Sequence, residues 1–134
     1  MRILVVDDDS DFLLLAKKAL EARAHEVETA SGAFGLVNRV ASSSPDLVVL
    51  DCEMPGLSGF SVVELLAKDR RTSQVPVLLV SAGDGEQHEL ARATNPRAAF
   101  YRKDGRMKSF VDEVEHHAQA VGVEARSAVA TTKA

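Results

Sequence analysis

Four carboxylates fall within five positions of the stretch "VVDDDSD" (residues 5–11), directly after an apolar run: Asp7, Asp8, Asp9 and Asp11. Like charges this close repel one another, and at the end of a buried strand they are poorly solvated. Later apolar runs end in further reactive types, with Asp51 after "LVVL", Ser81 after "VLLV" and Lys103 after "AAFYR". A single acid after a strand is commonly a helix cap, and Asp9 and Asp11 read as first-turn acids favoured by the helix dipole. Three acids, a hydroxyl and an ammonium at one sheet edge point instead to a polyvalent site. Clustered carboxylates without Cys or suitably spaced His select a hard cation, foremost Mg²⁺. Such an ion cancels the repulsion and bridges an incoming phosphoryl group. One carboxylate then attacks phosphorus in line, Ser81 donates to one phosphoryl oxygen and Lys103 pairs with another.

These residues need a scaffold that brings strand ends together. Five runs predict strands at 2–7, 25–30, 46–51, 75–81 and 98–103. The first, third and fourth are apolar almost throughout, as suits parallel strands covered on both faces. Helical stripes lie between and after them: Phe12, Leu15, Ala16, Ala19 and Leu20; Gly59, Val62, Val63 and Leu66; Met107, Phe110, Val111, Val114 and Val121. Leu13 and Leu14 fall outside the first stripe and form a candidate docking spot for a partner's helices. Ser31 and Ser58 are the expected N-caps of helices near 32–42 and 59–70, and a polar helix is expected near 85–94. Five β-α repeats make a doubly wound five-stranded parallel sheet with right-handed crossovers. Ligands bind such sheets beyond the carboxyl ends of the strands.

The whole chain sets outer bounds. At 134 residues it is one domain, with residues 1–121 the expected unit and 122–134 a tail or the start of a linker, because the apolar period is lost after Val121. A net charge of −4 argues against nucleic acid or an anionic membrane surface as partner. No apolar stretch approaches the ~20 residues that span a bilayer, and the acid-rich opening does not resemble a signal peptide. With Cys52 the sole cysteine, no internal disulfide forms, and a reducing cytoplasm is the expected compartment. The Cys52 thiol reads as apolar filler at a strand end. His116 and His117 diverge by about 100° on a helix and read as surface residues.

The blocks "ILVVDDD", "PDLVVLDCEMPGLSGF", "VPVLLVSAG" and "FYRK", in this order and spacing, resemble the receiver domain of two-component response regulators, typified by the chemotaxis receiver. The resemblance covers about residues 2–120. It implies a flavodoxin-like (βα)5 fold with strand order 2-1-3-4-5, and Asp51 as phospho-acceptor. It further implies that Asp7, Asp8, Asp51 and the backbone carbonyl of Glu53 hold Mg²⁺, that Ser81 and Lys103 read the phosphoryl group, and that Phe100 is the switch aromatic. The implied donor is a histidine kinase or histidine phosphotransfer protein. The implied output is a downstream protein docking on the face of the fourth helix, fifth strand and fifth helix, by a monomer or a phosphorylation-dependent dimer. Such a module is no enzyme beyond assisting its own phosphorylation and dephosphorylation.

Three departures from the family pattern stand out. Glu53, two after the acceptor, carries a carboxylate able to reach the metal, the attacking water or Lys103. Asp104 follows Lys103 where the family usually has Pro, so a trans Lys103–Asp104 peptide is expected, eased by Gly105, with Asp104 a candidate cap of the last helix. The aromatic three before Lys103 is Phe100, which occurs in the family but lacks the hydroxyl of a Tyr. "NP" at 95–96 also replaces a small-residue turn. The altered Lys–Asp–Gly loop keeps a second reading open: a pseudo-receiver of the same fold, not phosphorylated and acting as a constitutive protein-binding module. A third is a haloacid-dehalogenase-like phosphatase, because "DDD" contains Asp-x-Asp at the end of strand one, although that chemistry usually needs a longer chain with a cap.

Overall fold

The computed structural model describes residues 1–54, 57–83 and 94–123. Five parallel strands, β1 (Arg2–Val6), β2 (Glu26–Ala30), β3 (Leu47–Asp51), β4 (Val77–Ser81) and β5 (Ala98–Arg102), form one sheet in the expected order 2-1-3-4-5. β3 and β4 are buried at every position, which is why their sequences are apolar without alternation. Both faces are covered. Leu4, Val6, Val48, Leu50, Val77 and Leu79 face α2 (Leu36–Ser43) and α3 (Gly59–Lys68). Ile3, Val5, Leu47, Val49, Leu78 and Val80 face α1 (Ser10–Glu21) and α4 (Met107–Ala120). A short antiparallel ladder, Glu53–Met54 with Leu57–Ser58, follows β3.

Capping fixes where α1 and α3 begin. The Asp9 carboxylate accepts from the amides of Asp11 (3.0 Å) and Phe12 (3.3 Å), and the Ser58 hydroxyl accepts from the Ser61 amide (3.2 Å), each satisfying donors that a first turn leaves free. The expected Ser31 cap is corrected. α2 starts at Leu36 behind Gly35, which at φ +68° adopts the left-handed geometry glycine tolerates, and residues 31–35 form bends and turns instead. The phase of α1 is corrected too. Its inward residues are Leu13, Ala16 and Leu20, whereas Leu15 is 52% exposed and Leu14 54%. Three consecutive leucines leave the phase of the stripe undetermined, and docking against Phe110 selects it: the Phe12 ring meets Phe110 edge-on at 5.4 Å. The helix expected at 85–94 falls on residues of which only Thr94 is described, and most of the tail lies outside the described residues.

His116 is exposed as expected, but His117 is buried. Its Nε2–H donates to the Arg97 carbonyl at 3.0 Å, tying α4 to the start of β5. Burial lowers its pKa below the ordinary 6.5, against the partial compensation of its backbone acceptors. Between its folded pKa and 6.5 the unfolded chain therefore binds more protons, so stability is present above pH 6.5 and falls as the pH drops below it. His117→Gln, which keeps an N–H donor, should flatten this slope in chemical denaturation curves at pH 5–7; a slope equal to wild type would refute the assignment.

Candidate functional site

The carboxyl ends of β1, β3 and β4 and the residue after β5 converge on one edge. Asp7 and Asp51 are 1% and 6% exposed, Ser81 is buried and Asp8 faces solvent. One carboxylate oxygen from each of Asp7, Asp8 and Asp51 lies within 4.8 Å of the others. The backbone sets these positions locally. Asp7 Oδ1 accepts from the Asp9 amide (2.9 Å), and Asp51 Oδ1 from the Glu53 amide (3.3 Å).

Lys103 supplies the cation. Its amide donates to the Ser81 carbonyl at 2.8 Å, continuing the β4–β5 ladder, and its stem carries Nζ into the pocket. Nζ donates to Asp7 Oδ2 at 2.7 Å, stands 3.9 Å from Asp51 Oδ1 and lies 4.2 Å above the centre of the Phe12 ring. The Lys103–Asp104 peptide is trans, as expected, and Gly105 takes φ +82°. Asp104 does not cap α4. Its carboxylate accepts from the Arg106 amide (2.9 Å) and the Tyr101 hydroxyl (3.2 Å), making a turn that ends at the helix boundary, so the N-cap position passes to Arg106.

Removal from water pushes the Asp51 carboxyl up to about 6, with Asp7 adding to the rise and Lys103 opposing it. Burial likewise pushes the Cys52 thiol up to about 12, so it remains a protonated apolar filler. The Glu53 side chain meets Ser81 rather than Lys103: Ser81 Oγ donates to Glu53 Oε1 at 2.7 Å and accepts from the Gly83 amide at 2.9 Å. Phe100 is half-buried against the core on the α2–α3 side. Asn95 is buried, its amide donating to the Val75 carbonyl (3.3 Å) and its carbonyl oxygen accepting from the Arg97 amide (2.9 Å), so "NP" builds the entry to β5 by side-chain bonding.

Two glycines shape the site in ways their sequence positions concealed. A Cβ at Gly59 would lie 2.8 Å from the Cys52 Cα and 3.2 Å from the Asp51 carbonyl oxygen, and the Gly59 amide donates to the Cys52 carbonyl at 3.0 Å. α3 thus abuts the acceptor strand backbone to backbone. Gly59→Ala should cost about 1–3 kcal/mol in urea denaturation, the range of overpacking, and an unchanged midpoint would show that the contact yields freely. A Cβ at Gly83 would approach Glu53 Oε1 to 3.0 Å and Ser81 Oγ to 3.3 Å.

Residues 3–115 match the model of the response regulator receiver domain. The chain belongs to this family. It is 40% identical over 102 residues to the response regulator PleD of Caulobacter vibrioides, covering 76% of this chain and 22% of PleD. It is 38% identical over 89 residues to the protein PilH of Pseudomonas aeruginosa, covering 66% of this chain and 74% of PilH. A receiver domain structure from Clostridium thermocellum superposes with a TM-score of 0.74 at 28% identity, covering 89% and 94% of the two chains. The chain is therefore a receiver of two-component response regulators, a signalling module, with relatives in bacteria. It spans well under a third of PleD, so the activity of that whole protein does not transfer with the match. Among the described residues no helix is long and apolar enough to cross a membrane.

Proposed function

We propose that residues 1–121 accept a phosphoryl group on Asp51 and signal through protein contacts. The observation that supports this best is the placement of Lys103 Nζ between Asp7 and Asp51, at the edge where β1, β3 and β4 end together. An Asp51 oxygen attacks phosphorus, and the bond from phosphorus to the donor's leaving atom breaks with its electron pair going to that atom. Lys103 pairs with one phosphoryl oxygen and Ser81 donates to another. The donor set suits a hard divalent ion, being three carboxylate oxygens in close approach and no sulfur or imidazole. Asp7, Asp8, Asp51 and the Glu53 carbonyl would hold Mg²⁺, which would supply positive charge against the acids and the phosphoryl oxygens. Phe100 serves as the switch aromatic.

The donor is a histidine kinase or histidine phosphotransfer protein in a reducing cytoplasm. The exposed leucines offered to its helices are Leu14 and Leu15 rather than Leu13 and Leu14. The Lys–Asp–Gly loop no longer favours a pseudo-receiver, since Lys103 reaches the carboxylates on a trans peptide. A strand-one nucleophile is disfavoured because Asp7 is covered and already bonded to Lys103. Incubation with acetyl phosphate and Mg²⁺ should add one phosphate to the intact mass. No added mass would favour the constitutive binding module.

A further inference from the structure

The Ser81 hydroxyl has one proton, and in this structure that proton is committed to Glu53 Oε1 at 2.7 Å, while its lone pair accepts from the Gly83 amide. A phosphoryl group on Asp51 needs the same proton. Ser81 cannot donate to both acceptors at once. A buried hydroxyl bonded to a carboxylate is held by a charge-assisted bond, stronger than one to a neutral acceptor. Glu53 itself is exposed, so its side chain can swing out to solvent once it releases Ser81. Gly83 leaves room for the arrangement, because a methyl group there would stand 3.0 Å from Glu53 Oε1 and press it away.

We propose that Glu53 is a positioning residue that latches Ser81 in the unmodified state, competing with the phosphoryl group for the hydroxyl and slowing phosphorylation until it lets go. This rests on the reading of Asp51 as acceptor. Glu53 acts through Ser81, and its backbone carbonyl takes no part in the latch. The latch has a second handle. Gly83 does not take a positive φ, so Gly83→Ala leaves the carboxylate charge in place and crowds both partners of the bond, Glu53 Oε1 at 3.0 Å and Ser81 Oγ at 3.3 Å.

The test measures the rate of phosphate incorporation from acetyl phosphate at fixed Mg²⁺, with Mg²⁺ affinity titrated in parallel. Glu53→Ala should accelerate incorporation roughly tenfold, the size of one charge-assisted hydrogen bond, with Mg²⁺ affinity unchanged. Glu53→Gln, which retains a weaker acceptor, should fall between. Gly83→Ala should accelerate as well. In a Ser81→Ala background, Glu53→Ala should add little, because no hydroxyl remains to be held. An acceleration by Glu53→Ala that persists undiminished in the Ser81→Ala background, with Gly83→Ala matching wild type, would overturn the latch and show that the carboxylate acts by charge repulsion. A wild-type protein that labels while Glu53→Ala labels at the same rate would also overturn it. A wild-type protein that never labels would instead defeat the acceptor reading itself.

Discussion

Asp51→Asn should take up no phosphate from acetyl phosphate, with a loss of at least about 100-fold against wild type, because the amide is no nucleophile and neither neighbouring acid combines burial with a free oxygen beside Lys103. Asp7 is bonded to Lys103, and Asp8 faces solvent with no basic side chain among the described residues paired to it. A retained phosphate mass in the variant would reassign the acceptor. The same substitution should raise stability in metal-free buffer. Burial and Asp7 hold the Asp51 carboxyl near 6 against an ordinary 3.8, so the folded state resists ionising it. Between these values the folded chain binds more protons than the unfolded one, and stability falls as the pH rises through the window. The stabilisation present at low pH is lost by about pH 6, by on the order of 2–3 kcal/mol. Asp51→Asn should abolish this slope, which has the opposite sign to that of His117. Denaturation at pH 4.5 and 7.5 in EDTA, with both variants, separates the two groups. A slope that survives Asp51→Asn would place the strained charge elsewhere.

The strands were legible because burial on both faces writes itself as unbroken apolar runs, in "LVVL" and "VLLV" most plainly, whereas their order came only with the resemblance to the receiver family. The convergence of Asp7, Asp8, Asp51, Ser81 and Lys103 followed from topology alone, since parallel strands end on one side. What was illegible depended on contacts between distant residues. Nothing in "DFLLLAKK" decides whether Leu13 or Leu15 turns inward; Phe110, almost a hundred residues on, helps decide it. The burial of His117 depends on the Arg97 carbonyl, an acceptor that no local pattern reveals. The Ser81 partner of Glu53 was hidden for the same reason. The sequence left the metal, the attacking water and Lys103 open to its carboxylate, but Lys103 is engaged by Asp7, and the bonded donor is a hydroxyl on the neighbouring strand. The sequence signal for it is Gly83, a small residue two positions after Ser81, where a Cβ would crowd Glu53.

Division of labour within the opening acids gives the second large effect. Asp7 and Asp8 face the acceptor, whereas Asp9 turns away to bond the amides of Asp11 and Phe12 at the start of α1. A cation bound to the native state alone stabilises it by about 2.7 kcal/mol at a hundred times its dissociation constant. Mg²⁺ should therefore raise the midpoint of thermal unfolding in wild type. Asp8→Ala removes an exposed ligand without unpacking the core, and it should abolish the response while leaving metal-free stability nearly unchanged. Asp9→Ala should do the reverse, costing about 1 kcal/mol through the lost cap and keeping the full Mg²⁺ response. Asp7 is a poorer probe, since its removal also releases Lys103 from its 2.7 Å bond. The two exposed acids are adjacent and equally charged, so general electrostatic screening by the ion would affect both variants alike. Equal loss of the Mg²⁺ response in Asp8→Ala and Asp9→Ala would mean that the cluster binds cations diffusely, and that the geometry of Asp7, Asp8 and Asp51 does not select one.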